Sequence, residues 1–273
     1  MNETLKRLLS GVVYVVLLIS CILYSNESLA VLFGLFLVIG VYEFCKMTFL
    51  NIYFSIAIAS ISYYFLWNQN DNLITKIIIS CISIIISIKL LFYLFNTSKT
   101  SFKIITRYLL LIGYIIIPFI LVNYIAIGEK NNYNEKILIT ILILIWTNDT
   151  FAYLVGKNFG RNKLFPSVSP KKTIEGSLGG ILFTIICSVL LSIFYIESRN
   201  LYIWIVIAII VSVFSTLGDL IQSKFKRAAG IKDSGKIMPG HGGILDRLDS
   251  IIFVIPIINF YFLISHIFKY YVS

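Results

Sequence analysis

Four aspartates occur in or beside strongly apolar segments of the sequence, where a charged side chain needs an explanation. They are Asp149, Asp219, Asp246 and Asp249. An ionised carboxylate within a membrane segment is energetically costly, so such a residue indicates a functional site by default. Asp246 and Asp249 share one side of a predicted helix, because residues three apart are neighbours there. With Asp219 at the same depth they predict a site for a hard cation, most simply Mg²⁺, as one ion or a pair.

Structural roles remain open for some of these acids. A carboxylate at a helix N-terminus complements the helix dipole, so capping alone can account for Asp246 or Asp249. Asp219 lies near a predicted helix C-terminus, where a carboxylate is disfavoured and capping gives no explanation. Asp149 has a structural alternative in an ion pair with Lys157.

Basic residues with anion-binding potential stand before one of the apolar segments. Ser169 and Pro170 predict a helix start, with serine as the N-cap and proline at the first helical position. Lys171 and Lys172 then fall in the first turn, where cations oppose the helix dipole. A phosphate bound at that helix end would explain them. The alternative is that these lysines only mark the cytoplasmic side of the membrane and its anionic headgroups.

A second basic segment precedes a glycine-rich turn. Its cations are Lys224, Lys226, Arg227, Lys232 and Lys236, followed by Pro239-Gly240-His241-Gly242-Gly243. The glycines permit close approach of the backbone to a ligand. His241 among them is a candidate phosphate contact, and a structural role is the alternative. Glu43, far away in the sequence, is interpreted as a helix-surface partner of Lys46.

The composition requires a membrane around these residues. Of the 273 residues, 58% are apolar and 13% are charged, and the net charge is +10. A soluble domain has about 25% charged residues, so a soluble enzyme, a disordered chain and a secreted disulfide scaffold are excluded. The basic excess indicates membrane lipids rather than nucleic acid as the partner. The four scattered cysteines are interpreted as small buried hydrophobic residues.

The apolar segments predict an all-α, polytopic integral membrane protein with about nine transmembrane helices. A helix needs about 20 mostly apolar residues to cross a bilayer. The predicted spans are 8–25, 28–45, 50–67, 74–96, 104–127, 136–156, 174–195, 201–221 and 248–268.

The loop charges predict the orientation. Seventeen lysines and arginines fall on the side that holds the N-terminus, against five on the other side. The positive-inside rule therefore puts the N-terminus and the polar loops on the cytoplasmic side of the inner (cell) membrane, and the C-terminus on the outer side. We divide the chain into a scaffold, residues 1–130 with about five spans, and a catalytic region, residues 131–273. The catalytic region has about four spans and two cytoplasmic loops, 157–173 and 222–247.

The polar motifs resemble those of one enzyme family. Residues 223–249 read SKFKRAAGIKDSGKIMPGHGGILDRLD. This is similar to the pattern of the phosphatidate cytidylyltransferases, or CDP-diacylglycerol synthases: S-x-hydrophobic-K-R-x4-K-D, then P-x-H-G-G-hydrophobic-x-D-R-hydrophobic-D. Met238 departs mildly, at a position where the family usually has Leu, Ile or Phe. A second family-like stretch, DTFAYLVGKNFGRNKLFPSVSPKKTIEG, covers residues 149–176.

The resemblance implies the reaction of CTP with phosphatidate to give CDP-diacylglycerol and pyrophosphate. It also implies Mg²⁺, an all-helical membrane enzyme with its site at the cytoplasmic face, and commonly a homodimer. On this interpretation Asp219, Asp246 and Asp249 bind metal, and Ser223 orients a phosphate or a metal-bound water. Lys226 and Arg227 complete the candidate catalytic set. The candidate substrate-binding residues are Asp149, Ser169, Lys171, Lys172, Lys232, Asp233, His241, Gly242, Gly243 and Arg247.

Two other functions fit parts of the sequence. A CTP-dependent polyprenol or lipid-alcohol kinase would share the topology and the nucleotide, but it would need a base and would transfer the γ-phosphoryl group. A cation-coupled transporter or channel would use the acids as ion ligands. Transporter sites usually lie near the bilayer midplane, whereas these acids are predicted at one face beside long loops.

Overall fold

The computed structural model describes residues 3–67, 73–96, 102–127, 133–198, 200–240 and 242–272. Helices dominate this part of the chain, and one short antiparallel ribbon interrupts them. The helices are α1 Glu3–Tyr24, α2 Asn26–Thr48, α3 Ile52–Trp67, α4 Leu73–Phe95, α5 Ile104–Ala126, α6 Glu135–Phe159, α7 Ile174–Ile196, α8 Leu201–Ala228 and α9 Leu245–Val272. The ribbon consists of β1 Lys163–Phe165 and β2 Ser169–Thr173.

The predicted fold class is confirmed. Within the described residues, eight of these helices are long and apolar enough to cross a membrane, and α3 is a shorter apolar helix of 16 residues. Many large apolar side chains on α1, α3, α4 and α7 are exposed, as expected for surfaces that contact lipid. The chain is therefore a multi-pass membrane protein, and the ribbon is an addition that hydropathy did not predict.

Helix α5 lies deepest in the bundle and is locally widened. Residues Leu111–Ile116 form a π-helical stretch, just before Pro118. Proline has no N–H, so the carbonyl of Gly113 lacks the donor five residues later that would continue this pattern. The Ser83 hydroxyl on α4 donates to that carbonyl at 2.9 Å. This bond satisfies a backbone group that hydrocarbon cannot.

Aromatic packing fixes α8 against the N-terminal helices. The Phe225 ring lies 5.8 Å from Phe44 on α2, 5.4 Å from Tyr93 on α4 and 5.8 Å from Tyr114 on α5, measured between ring centroids. Such aromatic pairs add roughly 0.5–1.5 kcal/mol each beyond their buried area. The cluster therefore holds the stretch of α8 that carries the following residue, Lys226.

This packing also lengthens α8 beyond its prediction. The span predicted for residues 201–221 continues as helix to Ala228, and α9 begins at Leu245. The connecting segment is therefore 229–244 rather than 222–247, and Ser223, Lys226 and Arg227 belong to a helix. Hydropathy predicted the end of the span at the first polar residues. The buried residues Ile221 and Phe225, one turn apart, continue the apolar face of the helix beyond that point.

The predicted start of α7 is wrong. Ser169 to Thr173 form strand β2, which pairs with β1 in antiparallel register, so Lys171 and Lys172 are not in a helical first turn. Thr173 is the N-cap, because its hydroxyl accepts from the Gly176 N–H at 3.1 Å and its backbone is extended. The helix-dipole argument for a phosphate at Lys171 and Lys172 therefore does not apply.

Glycines allow α6 and α7 to pack closely near the ribbon that connects them. A Cβ at Gly176 would lie 2.6 Å from the Ala152 carbonyl oxygen and 3.0 Å from the Gly156 Cα. A Cβ at Gly180 would lie 2.6 Å from Asn148 Oδ1. This close seam sets the position of β2, and with it that of Lys172, relative to α6.

Candidate active site

The ribbon brings one lysine onto an acid of α8. Lys172 Nζ lies 2.5 Å from Asp219 Oδ2, and both side chains are about one-third exposed or less. Ser223, one turn further along α8, donates its hydroxyl to Asp219 Oδ1 at 3.3 Å. A lysine, an acid and a hydroxyl that sequence analysis assigned to the site thus form one connected group.

Asp246 forms a second group with Lys226. Lys226 Nζ donates to Asp246 Oδ1 at 2.6 Å, and both side chains are nearly enclosed. The other carboxylate oxygen, Oδ2, accepts from the Ser234 N–H at 2.8 Å, the Ser234 hydroxyl at 3.0 Å and the Gly243 N–H at 2.9 Å. Asp246 therefore has donors on both oxygens and holds the connecting segment 229–244 to the helix pair.

Two further acids, Asp249 and Asp149, lie near enough to Asp219 for their charges to interact with it. Asp249 on α9 is buried, and its charge interacts with those of Asp219, Asp149 and Lys226. Asp149 on α6 is exposed and interacts electrostatically with Lys172 and Asp219, rather than with the alternative partner Lys157. Like charges in a partly dry site repel unless a cation stands between them. The arrangement is therefore suited to take up positive charge.

The residues present fit Mg²⁺ in its usual mode of binding. Across the described ranges, no three His, Cys, Asp or Glu side chains lie close enough together to hold a metal by themselves. Mg²⁺ usually uses one or two protein carboxylates, with waters and substrate phosphates as its other ligands. Asp249 can supply one carboxylate, and Asp219 a second once Lys172 leaves it for a substrate phosphate. Asp246 would have to release both Lys226 and the connecting segment.

The carboxylate of Asp246 lies so close to the connecting segment that only glycine fits at position 242. Gly242 has φ of +89°, and a Cβ there would lie 2.6 Å from Asp246 Oδ2. Met238 and Gly242 exchange backbone hydrogen bonds of 2.9 and 3.1 Å. His241 lies outside the described residues, so its predicted phosphate contact stays a prediction.

Comparison with known proteins gives the same assignment as the motifs. The sequence matches the Cytidylyltransferase family over residues 5–265. The chain belongs to this family. The resemblance drawn from residues 149–249 is thereby confirmed, and the match extends it into the N-terminal helices.

Relatives in three staphylococcal species carry one name. Proteins named phosphatidate cytidylyltransferase are 43% identical over 143 residues in Staphylococcus epidermidis, 42% over 143 in Staphylococcus haemolyticus and 45% over 145 in Staphylococcus aureus. Each alignment covers 50% of this chain and 55% of the relative. The chain is thus aligned with about half the length of these members of the family.

Other predicted site residues lie at the same end of the bundle. Arg227 is exposed, and its guanidinium donates to the Ile231 carbonyl at 3.2 Å. Ser169 lies half-buried at the start of β2 and pairs with Phe165. The remaining side chains are exposed: Lys171, Lys232, Asp233 and Arg247. Their assignment to substrate stays a prediction.

Sequence reasoning missed one acid at this end of the bundle. Glu43 on α2 is 1% exposed and accepts hydrogen bonds from Ser234, Ile244 and Leu245. Its predicted pairing with Lys46 is wrong, since Lys46 Nζ lies over the Tyr42 ring, 4.3 Å from the centroid. The one signal available was an acid within an apolar span, and the rule that flagged the four aspartates applied to it equally.

Proposed function

We propose that this chain is a phosphatidate cytidylyltransferase, which converts CTP and phosphatidate to CDP-diacylglycerol and pyrophosphate. The observation that carries the proposal is the pairing of lysines with acids, Lys172 with Asp219 and Lys226 with Asp246, at one end of a membrane bundle. The names of the staphylococcal relatives support the same reaction. Both substrates are anions, and one of them is confined to the membrane.

The chemistry needs positioning and charge stabilisation more than proton transfer. A phosphate oxygen of phosphatidate attacks the α-phosphorus of CTP, forming a new P–O bond. The bond from that phosphorus to the β-phosphate oxygen breaks, and its electron pair leaves with pyrophosphate. A phosphomonoester has its second pKa near 6, so the nucleophile is largely deprotonated already. The protein then acts by alignment and electrostatics.

Lysines of the two ion pairs are suited to hold phosphates. Lys172 and Lys226 can each exchange a carboxylate for a phosphate oxygen as substrates enter, because both anions offer charge-assisted hydrogen bonds. Ser223, bonded to Asp219, would orient a phosphate oxygen or a water beside it. The ion pairs keep the lysines in place before substrate arrives.

We further propose that Asp219 and Asp249 hold Mg²⁺, with Asp149 nearby. The ion, when bound, would neutralise charge at the α-phosphorus and on the leaving pyrophosphate. Two carboxylates from two helices plus phosphate oxygens would complete a site of the kind this ion prefers.

Orientation and assembly belong to the proposal as well. The excess of basic residues on one side supports a site on the cytoplasmic side of the cell membrane, where CTP is available. Phosphatidate would reach the site laterally from the same leaflet, and surrounding lipids would contact the exposed apolar faces. A homodimer is expected from the family resemblance.

The choice of acceptor lipid tests the proposal. Purified protein in mixed micelles with Mg²⁺ and CTP should convert phosphatidate to CDP-diacylglycerol, and it should leave diacylglycerol and polyprenol unchanged. A phosphorylated product from either alcohol, with no CDP-lipid from phosphatidate, would favour the lipid-kinase alternative and overturn the proposal.

A further inference from the structure

A buried carboxylate of the N-terminal scaffold caps the helix that carries two of the site acids. Glu43 Oε1 accepts from the Ile244 N–H at 3.0 Å, and Oε2 accepts from the Leu245 N–H at 2.9 Å. These are N–H groups at the start of α9, which have no acceptor within the helix. A side chain from α2, about 200 residues earlier in the sequence, therefore supplies the N-terminal cap.

The same carboxylate is linked to the site through one hydroxyl. Ser234 Oγ lies 2.7 Å from Glu43 Oε2 and 3.0 Å from Asp246 Oδ2. Asp246 in turn binds Lys226 at 2.6 Å. A continuous chain of polar contacts thus runs from α2 through the connecting segment to α9 and α8.

Two glycines show that the connecting segment is shaped around this carboxylate. A Cβ at Gly235 would fall within 3 Å of the Glu43 carboxyl carbon. A Cβ at Gly243 would collide with both Glu43 carboxylate oxygens and the Ser234 hydroxyl. The segment therefore passes directly over Glu43, and any other residue at either glycine would push it away.

We propose that Glu43 is a positioning residue of the active site, which sets the place of Asp246 and Lys226 without touching substrate. The inference rests on the proposed function for its catalytic readout. It gives the scaffold, residues 1–130, a part in placing the catalytic groups of residues 131–273.

Glu43→Gln is the sharpest substitution, because it keeps the shape and removes the second acceptor. Oε1 accepts from the Ile244 N–H, and Oε2 accepts from the Leu245 N–H and the Ser234 hydroxyl. A glutamine amide has one oxygen that accepts and one NH₂ group that donates. Its NH₂ group must therefore take the place of a carboxylate oxygen and point at an N–H donor, where no hydrogen bond can form. The variant should fold while its connecting segment is displaced.

The kinetic test compares Glu43→Gln with a matched structural contact. Loss of a residue that orients a site ligand typically costs about 10- to 100-fold, so kcat should fall by that factor, with KM for CTP changed less than about threefold. The control is Lys224→Met. Lys224 Nζ donates to the Tyr93, Leu94 and Asn96 carbonyls and so joins α8 to α4. Its kcat per folded molecule should change less than about twofold.

A double-mutant cycle with Ser234→Ala separates positioning from general damage. If Glu43 acts through the Ser234 hydroxyl, Ser234→Ala alone should lower kcat, and adding it to Glu43→Gln should lower kcat less than about twofold further. Independent, multiplying effects would overturn the proposal, as would wild-type kcat in Glu43→Gln. If Glu43→Gln yields no folded protein, Ser234→Ala with wild-type kcat overturns it instead.

A measurement without substrate distinguishes this inference from the proposed function. Met238 in the connecting segment is 8% exposed. A Met238→Cys substitution, in a background lacking the four native cysteines, reports how often the segment opens to a maleimide. Glu43→Gln should speed labelling at least about tenfold, and Lys224→Met should not. Unchanged labelling overturns the inference, whereas faster labelling in a protein that makes no CDP-lipid would refute only the proposed function.

Discussion

Asp246 and Asp249 lie three residues apart on α9, but their surroundings differ in charge. Asp246 pairs with Lys226 and accepts three more hydrogen bonds, whereas Asp249 is buried among the charges of Asp219 and Asp149. Removing one partner of an enclosed pair is strongly destabilising, and removing one of several like charges is not.

Asparagine at these two positions should therefore separate stability from catalysis. In Mg²⁺-free detergent, Asp246→Asn should lower the unfolding midpoint by several degrees, while Asp249→Asn should leave it unchanged or raise it. Asp249→Asn removes a proposed metal ligand, and Asp246→Asn removes the partner that positions Lys226. Each should lower turnover by at least about 100-fold at saturating Mg²⁺. Thermal unfolding followed by size-exclusion chromatography measures the first effect. Equal loss of stability in both variants would refute the different roles.

Adjacent lysines on β2 provide a matched pair for substrate binding. Lys172 contacts Asp219 at 2.5 Å, and Lys171 is exposed on the same strand. Loss of a charge-assisted contact is worth about 1.5–3 kcal/mol, so Lys172→Ala should lower kcat/KM by about 10- to 100-fold. Lys171→Ala should lower kcat/KM less than Lys172→Ala does, because the Lys171 side chain is exposed. Similar small effects from both would mean that these lysines serve only membrane topology.

At the scale of helices, the glycine seam between α6 and α7 should be needed to place Lys172. A methyl group at Gly176 would meet the Ala152 carbonyl at 2.6 Å, so Gly176→Ala must push the helices apart. Overpacking of this kind costs about 1–3 kcal/mol. Gly34→Ala is the control, because its Cβ would meet only the Tyr63 ring, at an ordinary 3.4 Å. A Gly176→Ala protein with wild-type unfolding midpoint and activity would contradict the role of the seam.

Hydropathy predicted the helices well because each must satisfy its own backbone within the membrane. It failed where tertiary contacts decide. Helix α8 continues past its apolar run because Phe225 packs into an aromatic cluster. Residues 169–173 form a strand because β1 pairs with them. The helix therefore begins later than predicted, and its N-cap is Thr173 instead of Ser169. Glu43 was misassigned for the same reason, since its partners are about 200 residues away.

For the whole molecule, the central expectation is that the site faces the cytoplasm. Ser167 lies exposed between the ribbon strands, and Asn200 lies exposed at the opposite end of α7. Single cysteines at these positions, without the native four, can be probed with an impermeant thiol reagent on intact cells. Asn200→Cys should react from outside, and Ser167→Cys only after lysis. The reverse pattern would place the acids away from CTP and remove the proposed chemistry.

The position of the transferred phosphate tests the account most directly. Protein reconstituted in liposomes that contain both phosphatidate and diacylglycerol is given Mg²⁺ and CTP labelled at either the α- or the γ-phosphate. We predict that α-label enters the lipid fraction and that γ-label leaves as pyrophosphate. Lys172→Ala should slow both more than Lys171→Ala does. Entry of γ-label into lipid, with release of α-label as CDP, would show a kinase and contradict the assignment of this site to cytidylyl transfer.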